Sequence, residues 1–419
     1  MSNILPKREI IFDLDKEDNL PPEGAFALPP AGNGQTYLCS HSLGPLPTNS
    51  KNYLERELQR WGDLGVAGYF DGSDGWLHYL DPLNLMMSKI VGAKPHEVVI
   101  MNSLTTNLHL MLAGFYRPRG AKNKILMERP AFGSDVYAAS SHAKVRGVEE
   151  AVLSWDVNRD TGYFESSDLE ELLNQRHGDI CMILLGGINY LSGELLDMKG
   201  ITEIAHRYDI PIGFDLAHAV GNVDLKLSDW NVDFAVWCTY KYLCGGPGSV
   251  GACYINERFN AQETYFKGWW GNSLDTRFEM SPHFMPSEGA ARWQLSNPPL
   301  MALPPLKASL ELFDQIGFSR ISVKTRRLAE YLFGLLRDWK GGAVVTPGAP
   351  GRHGAMISIK IENESARMYT NLSEAGFIVD HRSPDIIRVA PHGLLNTFDD
   401  CYRFAKKLIE LSNTTSTLS

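Results

Sequence analysis

Short apolar runs and amphipathic stretches alternate through the middle of the chain. Glu97–Met101 (EVVIM) is a buried-strand pattern, and Leu104–Phe115 behind it spaces its apolar residues as a helix does. Lys124–Met127, Val148–Trp155, Ile180–Leu185, Pro211–Asp215, Phe234–Cys238 and Val250–Ile255 read as further strands. Phe132–His142 and Met198–Arg207 read as helices. Strands alternating with helices predict an α/β domain on a mostly parallel, doubly wound sheet. After about Pro298 the pattern changes. Leu303–Ile316 and Ser319–Trp339 read as long amphipathic helices, and a stretch rich in Gly and Pro follows at 341–354. A smaller α+β pattern comes next: strand Ala355–Ile361, helix Ala366–Glu374, strands Ile378–His381 and Ile386–Ala390, helix Thr397–Leu411. The tail Asn413–Ser419 is small and polar and is expected to fray. The expected organisation is an N-terminal segment over residues 1–50 that joins a small domain, a large domain over 51–300 and a small C-terminal domain over 301–419.

Composition changes this picture little and excludes much. The 419 residues are 44% hydrophobic and 21% charged, a globular balance with length for about two domains. Forty Lys and Arg against 49 Asp and Glu leave a formal charge of −9. Nothing in that balance draws the chain to nucleic acid or to an anionic membrane. Six cysteines (Cys39, Cys181, Cys238, Cys244, Cys253, Cys401) show neither CxxC nor paired Cys/His spacing. Buried reduced thiols are expected, rather than zinc ligands or disulfides. The first twenty residues carry acidic groups and no long apolar run, so no signal peptide is expected. No window approaches the roughly 18 apolar residues of a membrane span. A soluble, cytoplasmic protein is the expectation.

The chemistry concentrates in Phe214-Asp215-Leu216-Ala217-His218-Ala219 and Cys238-Thr239-Tyr240-Lys241-Tyr242. Asp215 ends an apolar strand, where open α/β sheets bind ligands. Lys241 lies just past the next apolar strand, with Gly245-Gly246-Pro247-Gly248-Ser249 behind it. Pyridoxal phosphate needs such a pair: a lysine amine to hold it and a carboxylate to keep its pyridine nitrogen protonated. Each residue alone fits a solvated loop charge; jointly, with His218 and the glycines, they favour the cofactor. Asn102-Ser103-Leu104-Thr105-Thr106-Asn107 reads either as a phosphate cradle at a helix start or as a plain N-cap. In Ala131-Phe132-Gly133-Ser134-Asp135, Phe132 reads as a ring stacked on a cofactor or as core, with an acid beside it. Arg388 interrupts the apolar Ile386–Ala390 and reads as a substrate-carboxylate partner or as a strand-face salt bridge.

These residues stand within long strings: YLCSHSLGP, VGAKPHEVVIMNSLTTNLHLMLAGFYRP, AFGSD, GFDLAHAVGN, CTYKYL, GWWGNSLDTRF, LSNPP and IRVAP. Their order, from about Tyr37 to Leu411, resembles kynureninase, a pyridoxal-phosphate-dependent hydrolase of fold type I. That resemblance implies a large domain with a mostly parallel seven-stranded sheet flanked by helices, plus a smaller α+β C-terminal domain. It also implies hydrolytic cleavage of the Cβ–Cγ bond of L-kynurenine or 3-hydroxy-L-kynurenine, giving an anthranilate and L-alanine. Lys241 would hold the cofactor and Asp215 would face its ring nitrogen. Asp135, His218 and Phe132 would support the ring, Leu104, Thr105 and Tyr240 would bind the phosphate, and Arg388 would hold the substrate carboxylate. Tyr240 is the candidate for proton delivery. Positions matching Trp269, Ser296 and Asn297 reach the site from the neighbouring subunit in the family, which implies a homodimer with shared sites, the N-terminal segment contributing to its interface.

Several departures bear on substrate choice. The family's usual Cys-Gly-Asn-Ser-Leu-Gly reads Cys39-Ser40-His41-Ser42-Leu43-Gly44 here, with Ser42 a candidate substrate contact. His41 is expected to be a hydrogen-bonding replacement for the asparagine. Tyr69 and Asn272 stand where animal kynureninases carry histidines of the aromatic pocket, whereas Asn297 matches the animal type. The amide of Asn297 favours 3-hydroxykynurenine or a ring-modified relative. Competing readings are a cysteine desulfurase or aminotransferase of the same fold, and a cofactor-binding protein without turnover. A desulfurase needs a mobile nucleophilic cysteine, and no cysteine lies in such a loop motif.

Overall fold

The computed structural model describes residues 14–16, 20, 24–29 and 35–415. The stretch read for a targeting segment lies almost wholly outside these residues, as does 416–419 of the tail. Seven strands form the central sheet: β1 Val98–Ile100, β2 Lys124–Arg129, β3 Val152–Asp156, β4 Ile180–Gly186, β5 Ile212–Asp215, β6 Phe234–Trp237 and β7 Ala252–Ile255. Their order is β1-β7-β6-β5-β4-β2-β3. β7 runs antiparallel to both its neighbours, and the other adjacent pairs are parallel. The expected mostly parallel α/β architecture is therefore present. Helices cover both faces, which is why strands such as β1, β6 and β7 are apolar and buried throughout rather than alternating with polar residues. Side chains alternate between two cores all the same: Ile183, Leu185 and Phe214 enter one, Met182, Leu184 and Val236 the other.

The C-terminal third builds a second, antiparallel sheet in the order Ala343–Val344, Ile357–Lys360, Ile386–Val389, Asp380–Arg382. Helices Phe318–Leu336, Ser365–Glu374 and Phe398–Thr415 accompany it, and their apolar faces close a separate core around Leu328, Ile359 and Phe404. Two expectations need correction here. The single strand expected over Ile378–His381 is split. Phe377–Ile378 pairs in parallel with Thr36–Tyr37, and the chain then changes partner so that Asp380–Arg382 pairs with Ile386–Arg388. The last helix runs through Thr415, so Asn413–Thr415, read as part of the tail, are helical. Helices Ser50–Leu64, Asp81–Val91 and Ser166–Arg176 were not expected. In the first, only Ser50 and Glu57 are buried, so no buried apolar stripe marks it.

Candidate active site

The carboxyl ends of the parallel strands open into one cleft, lined by Leu104, Thr105, Glu128, Phe132, Asp135, Asp215, His218, Tyr240 and Lys241 among others. Eight of the residues expected at a cofactor site meet here. Two helices begin at its rim. Asn102, at φ 49°, turns the chain out of β1 into helix Leu104–Phe115, whose cap residue Ser103 accepts no backbone N–H with its side chain. Ser103 instead pairs with Thr106 Oγ1 at 3.0 Å, so a plain N-cap is not what this sequence makes. Helix Gly133–Val145 starts at Phe132, again without a capping side chain. Thr105 Oγ1 and Ser134 Oγ, one from each start, lie 3.0 Å apart. Two uncapped N-termini with free N–H groups and hydroxyls suit a phosphate. Gly251 allows this packing: a Cβ there would lie 2.9 Å from the Trp237 carbonyl and 3.1 Å from Leu104 N. Phe132 is 46% exposed, so its ring is not core; it meets Tyr190 edge-on at 5.4 Å.

Acids crowd the floor. Asp215 is buried, and its Oδ1 accepts from Ala217 N–H at 2.7 Å. Burial raises its pKa, opposed by that N–H and by Lys241. Asp135 is raised much further, by burial and then by the charge of Asp215, so Asp135 holds the proton of this pair. Among the described residues its Oδ1 has no partner, and neither has His218 Nδ1 nor Glu128 Oε2. His218 is kept neutral by burial and by Lys241. Unpartnered buried atoms beside a carboxylate pair fit a heterocyclic cation with polar substituents.

Glu128, an acid ending an apolar strand, went unread in the sequence, as did Tyr190 and Asp380. Burial pushes the Glu128 carboxyl up to about 7, although Gly186 N–H donates to its Oε1 at 3.1 Å. The folded state thus binds this proton more tightly than the unfolded chain, where a glutamic acid loses it near about 4.3. Its stabilising contribution is full below that value and is lost as pH rises through about 7, a swing on the order of 3 kcal/mol. In cofactor-free protein, Glu128→Gln is expected to add stability that grows between about pH 5 and 7 and then levels off. Urea unfolding that shows a pH-independent difference would count against the buried acid.

Arg388 is 2% exposed. Its Nε donates to Asp380 Oδ1 at 3.0 Å and its Nη1 to the Tyr190 carbonyl at 2.7 Å, which aims the remaining N–H groups. Ser42 Oγ donates to Asp380 Oδ2 at 2.9 Å. Burial opposes ionisation of Asp380, but Arg388 outweighs it and holds the carboxyl below its usual range. Arg388 is therefore in a cross-strand salt bridge and still has donors to offer. The N-terminal loop also reaches the lysine: Gly44 N–H donates to the Tyr240 carbonyl at 2.7 Å. A Cβ on Gly44 would lie 2.3 Å from the Lys241 carbonyl.

The other expected residues lie elsewhere on the chain. Tyr69 and Asn297 line a separate apolar cavity of about 750 Å³ with Trp61, Val66 and Trp76, and Asn297 Nδ2 donates to the Tyr69 hydroxyl. Ser296 is exposed beside them. Trp269 is 48% exposed and its Nε1 donates to the Arg277 carbonyl at 2.9 Å. Asn272 spends both ends of its amide within its own loop, on Met285 N–H and Thr276 Oγ1. All six cysteines are free and buried. Burial raises the thiols, Cys39 and Cys181 to about 11, which suits packing and not nucleophilic attack. Among the described residues, no helix is long and apolar enough to cross a membrane.

Comparison with known proteins agrees with this reading. Residues 85–381 match the family described as Aminotransferase class-V. A kynureninase of Myxococcus xanthus is 44% identical over 405 residues, covering 94% of this chain and 95% of that protein. One from Koribacter versatilis is 42% identical over 394 residues, covering 92% and 93%. A third, from Christiangramia forsetii, is 35% identical over 412 residues, covering 96% and 97%. Among solved structures, the cystine C-S lyase C-DES superposes with a TM-score of 0.78 at 17% identity, over 90% of this chain and 98% of that one. A cysteine desulfurase from Thermococcus onnurineus reaches 0.74 at 16%, over 91% and 95%. At that identity the structures share the fold. The sequence relatives say more: the chain belongs to the kynureninase family, within the class-V aminotransferases.

Proposed function

We propose that the cleft holds pyridoxal phosphate on Lys241 and carries out the kynureninase reaction, adding water to a kynurenine and breaking its Cβ–Cγ bond. The observation that carries this reading is the convergence of Lys241, the Asp215–Asp135 pair and two uncapped helix starts in one cleft. When bound, the cofactor supplies an electron sink conjugated to the substrate's Cα. The chain's own groups do the rest. Leu104, Thr105 and Tyr240 receive the phosphate, Phe132 covers the ring and His218 supports it. Asp215 keeps the ring nitrogen protonated while Asp135 carries the neighbouring proton. Arg388 fixes the substrate carboxylate, and Ser42, through Asp380, helps to aim it. The amine of Lys241 would remove the Cα proton, and Tyr240, whose hydroxyl burial keeps protonated, would deliver a proton to Cβ of the alanine fragment as the anthranilate leaves. Release of anthranilate and L-alanine from L-kynurenine by the cofactor-loaded protein tests the whole; formation of persulfide from cysteine instead would overturn it.

Ring preference falls to Asn297 and Tyr69, which already pair with each other. A 3-hydroxyl on the substrate gives the Asn297 amide a second partner beside Tyr69 that plain kynurenine lacks, a difference of about 1–3 kcal/mol. The expected kcat/KM is about 5- to 150-fold higher on 3-hydroxy-L-kynurenine, and Asn297→Ala should collapse the ratio toward unity. A parent that prefers plain kynurenine removes Asn297 from this role.

The separation of Tyr69, Asn297, Ser296 and Trp269 from Lys241 supports a homodimer with shared sites. Phe70, Phe278 and Trp269 form an exposed aromatic run, Phe70 to Phe278 at 5.5 Å and Phe278 to Trp269 at 5.8 Å. Such a run, with Trp61 and Val66 also exposed, suits burial against a second copy. Light scattering is expected to give twice the 46.7 kDa of the chain. Mixing inactive Lys241→Ala with inactive Trp269→Ala subunits should restore part of the activity; a monomeric mass would refute the arrangement.

A further inference from the structure

We infer that His41 binds the substrate, its ring N–H donating to the α-carboxylate beside Arg388. The inference rests on the function proposed above. His41 stands in the loop that ties the small domain, through the Cys39–Ala390 bridge, to the lysine loop, through Gly44. Its side chain is 1% exposed, and neither Nδ1 nor Nε2 has a partner among the described residues. A satisfied replacement for asparagine would have both ends engaged, so the expectation drawn from the sequence does not hold. Burial, with Arg388 and Lys241 nearby, keeps the ring neutral. A neutral imidazole always offers one N–H and one lone pair, and leaving both unmatched in a dry place is costly.

The surroundings indicate what the missing partner is. One His41 nitrogen, the Cys39 thiol and an Asp380 carboxylate oxygen lie within 4.8 Å of one another. Asp380 is the group that holds Arg388. On the other side, the His41 ring lies 6.4 Å from that of His218, which lines the cofactor cleft. The charges of Lys241 and Arg388, the two groups proposed to hold the ends of an amino-acid substrate, both reach His41. A further buried group without a partner among the described residues, the Tyr242 hydroxyl, lies in the field of Arg388. A cation is the weaker occupant, because Asp380 already faces the guanidinium groups of Arg388 and Arg382. An anionic oxygen satisfies the imidazole N–H and lies in the field of both arginines.

The test uses cofactor-loaded protein and two donor-free variants, His41→Phe and His41→Leu. Turnover of L-kynurenine by the parent is the control that the proposed function stands; its absence would overturn that function, and the inference with it. Against it, the inhibition constant of L-alanine is expected to rise about 10- to 100-fold in both variants. That of anthranilate, which lacks the amino-acid carboxylate, should stay within about twofold. The melting temperature of the substrate-free enzyme should hold or rise, since an unmatched buried imidazole has been removed. An unchanged L-alanine constant in either variant overturns the inference. So does weakening of both inhibitors together with a lower melting temperature or failure to fold, which marks a structural role.

Discussion

Lys241→Ala is expected to abolish multiple-turnover hydrolysis and the absorbance of the covalently held cofactor, while the fold survives. The side chain lines the cleft, and the loop carrying it is fixed by its backbone. Gly44 N–H donates to the Tyr240 carbonyl, and Cys244 N–H donates to the Lys241 carbonyl at 2.9 Å. Truncation therefore removes an amine and no anchor. Among the described residues no other lysine lines this cleft to substitute for it in holding the cofactor or in moving the Cα proton. Reduction with borohydride followed by peptide mapping should label the parent at Lys241 and leave the variant unlabelled. Retained turnover in the variant would sink the assignment.

The second large effect is expected at Asp215. Asparagine keeps the shape of the side chain and the oxygen that accepts from Ala217 N–H at 2.7 Å, so the strand end should not move. What goes is the negative charge that holds a proton on the ring nitrogen. Removal of a single preorganised dipolar donor from an active site costs about 10²–10³ in rate, and a full charge in a dry cleft is worth more. A loss in kcat of about three orders of magnitude or more is expected, with the cofactor still bound. Near-normal turnover of Asp215→Asn would refute the role. Asp135 is a poor substitute, because burial and then the charge at Asp215 oppose its ionisation.

Much of this was legible in the sequence because it depends on neighbours along the chain. Leu104–Phe115 and Met198–Arg207 are helices with the bounds their apolar spacing predicts. Asp215 could be read as a strand-end acid because the run before it is apolar on both faces. Contacts between distant segments were another matter. The partnership of Ser42, Asp380 and Arg388 joins positions more than 300 residues apart, and no local pattern announces it. Glu128 went unread because nothing local marks it as buried; only the fold brings the helix starts and the end of β5 around it. The break within Phe377–Arg382 follows from the arrival of Thr36–Tyr37, a pairing that composition does not encode. Helix Ser50–Leu64 escaped notice for a different reason: Leu58, Trp61 and Leu64 point outward, so its pattern does not describe a core of this chain.

Tyr190 serves two neighbours with two different parts of itself. Its carbonyl anchors Arg388, and its ring meets Phe132. A main-chain oxygen survives any side-chain replacement, whereas the ring does not. The recognition of a carboxylate and the aromatic wall over the cofactor are therefore separable under mutation, although one residue provides both. Variation at position 190 can reshape what the aromatic wall accepts without loosening the grip on the amino-acid end. That makes it a dial for substrate scope, one that selection or a designer can turn while the handle common to all amino-acid substrates stays in place.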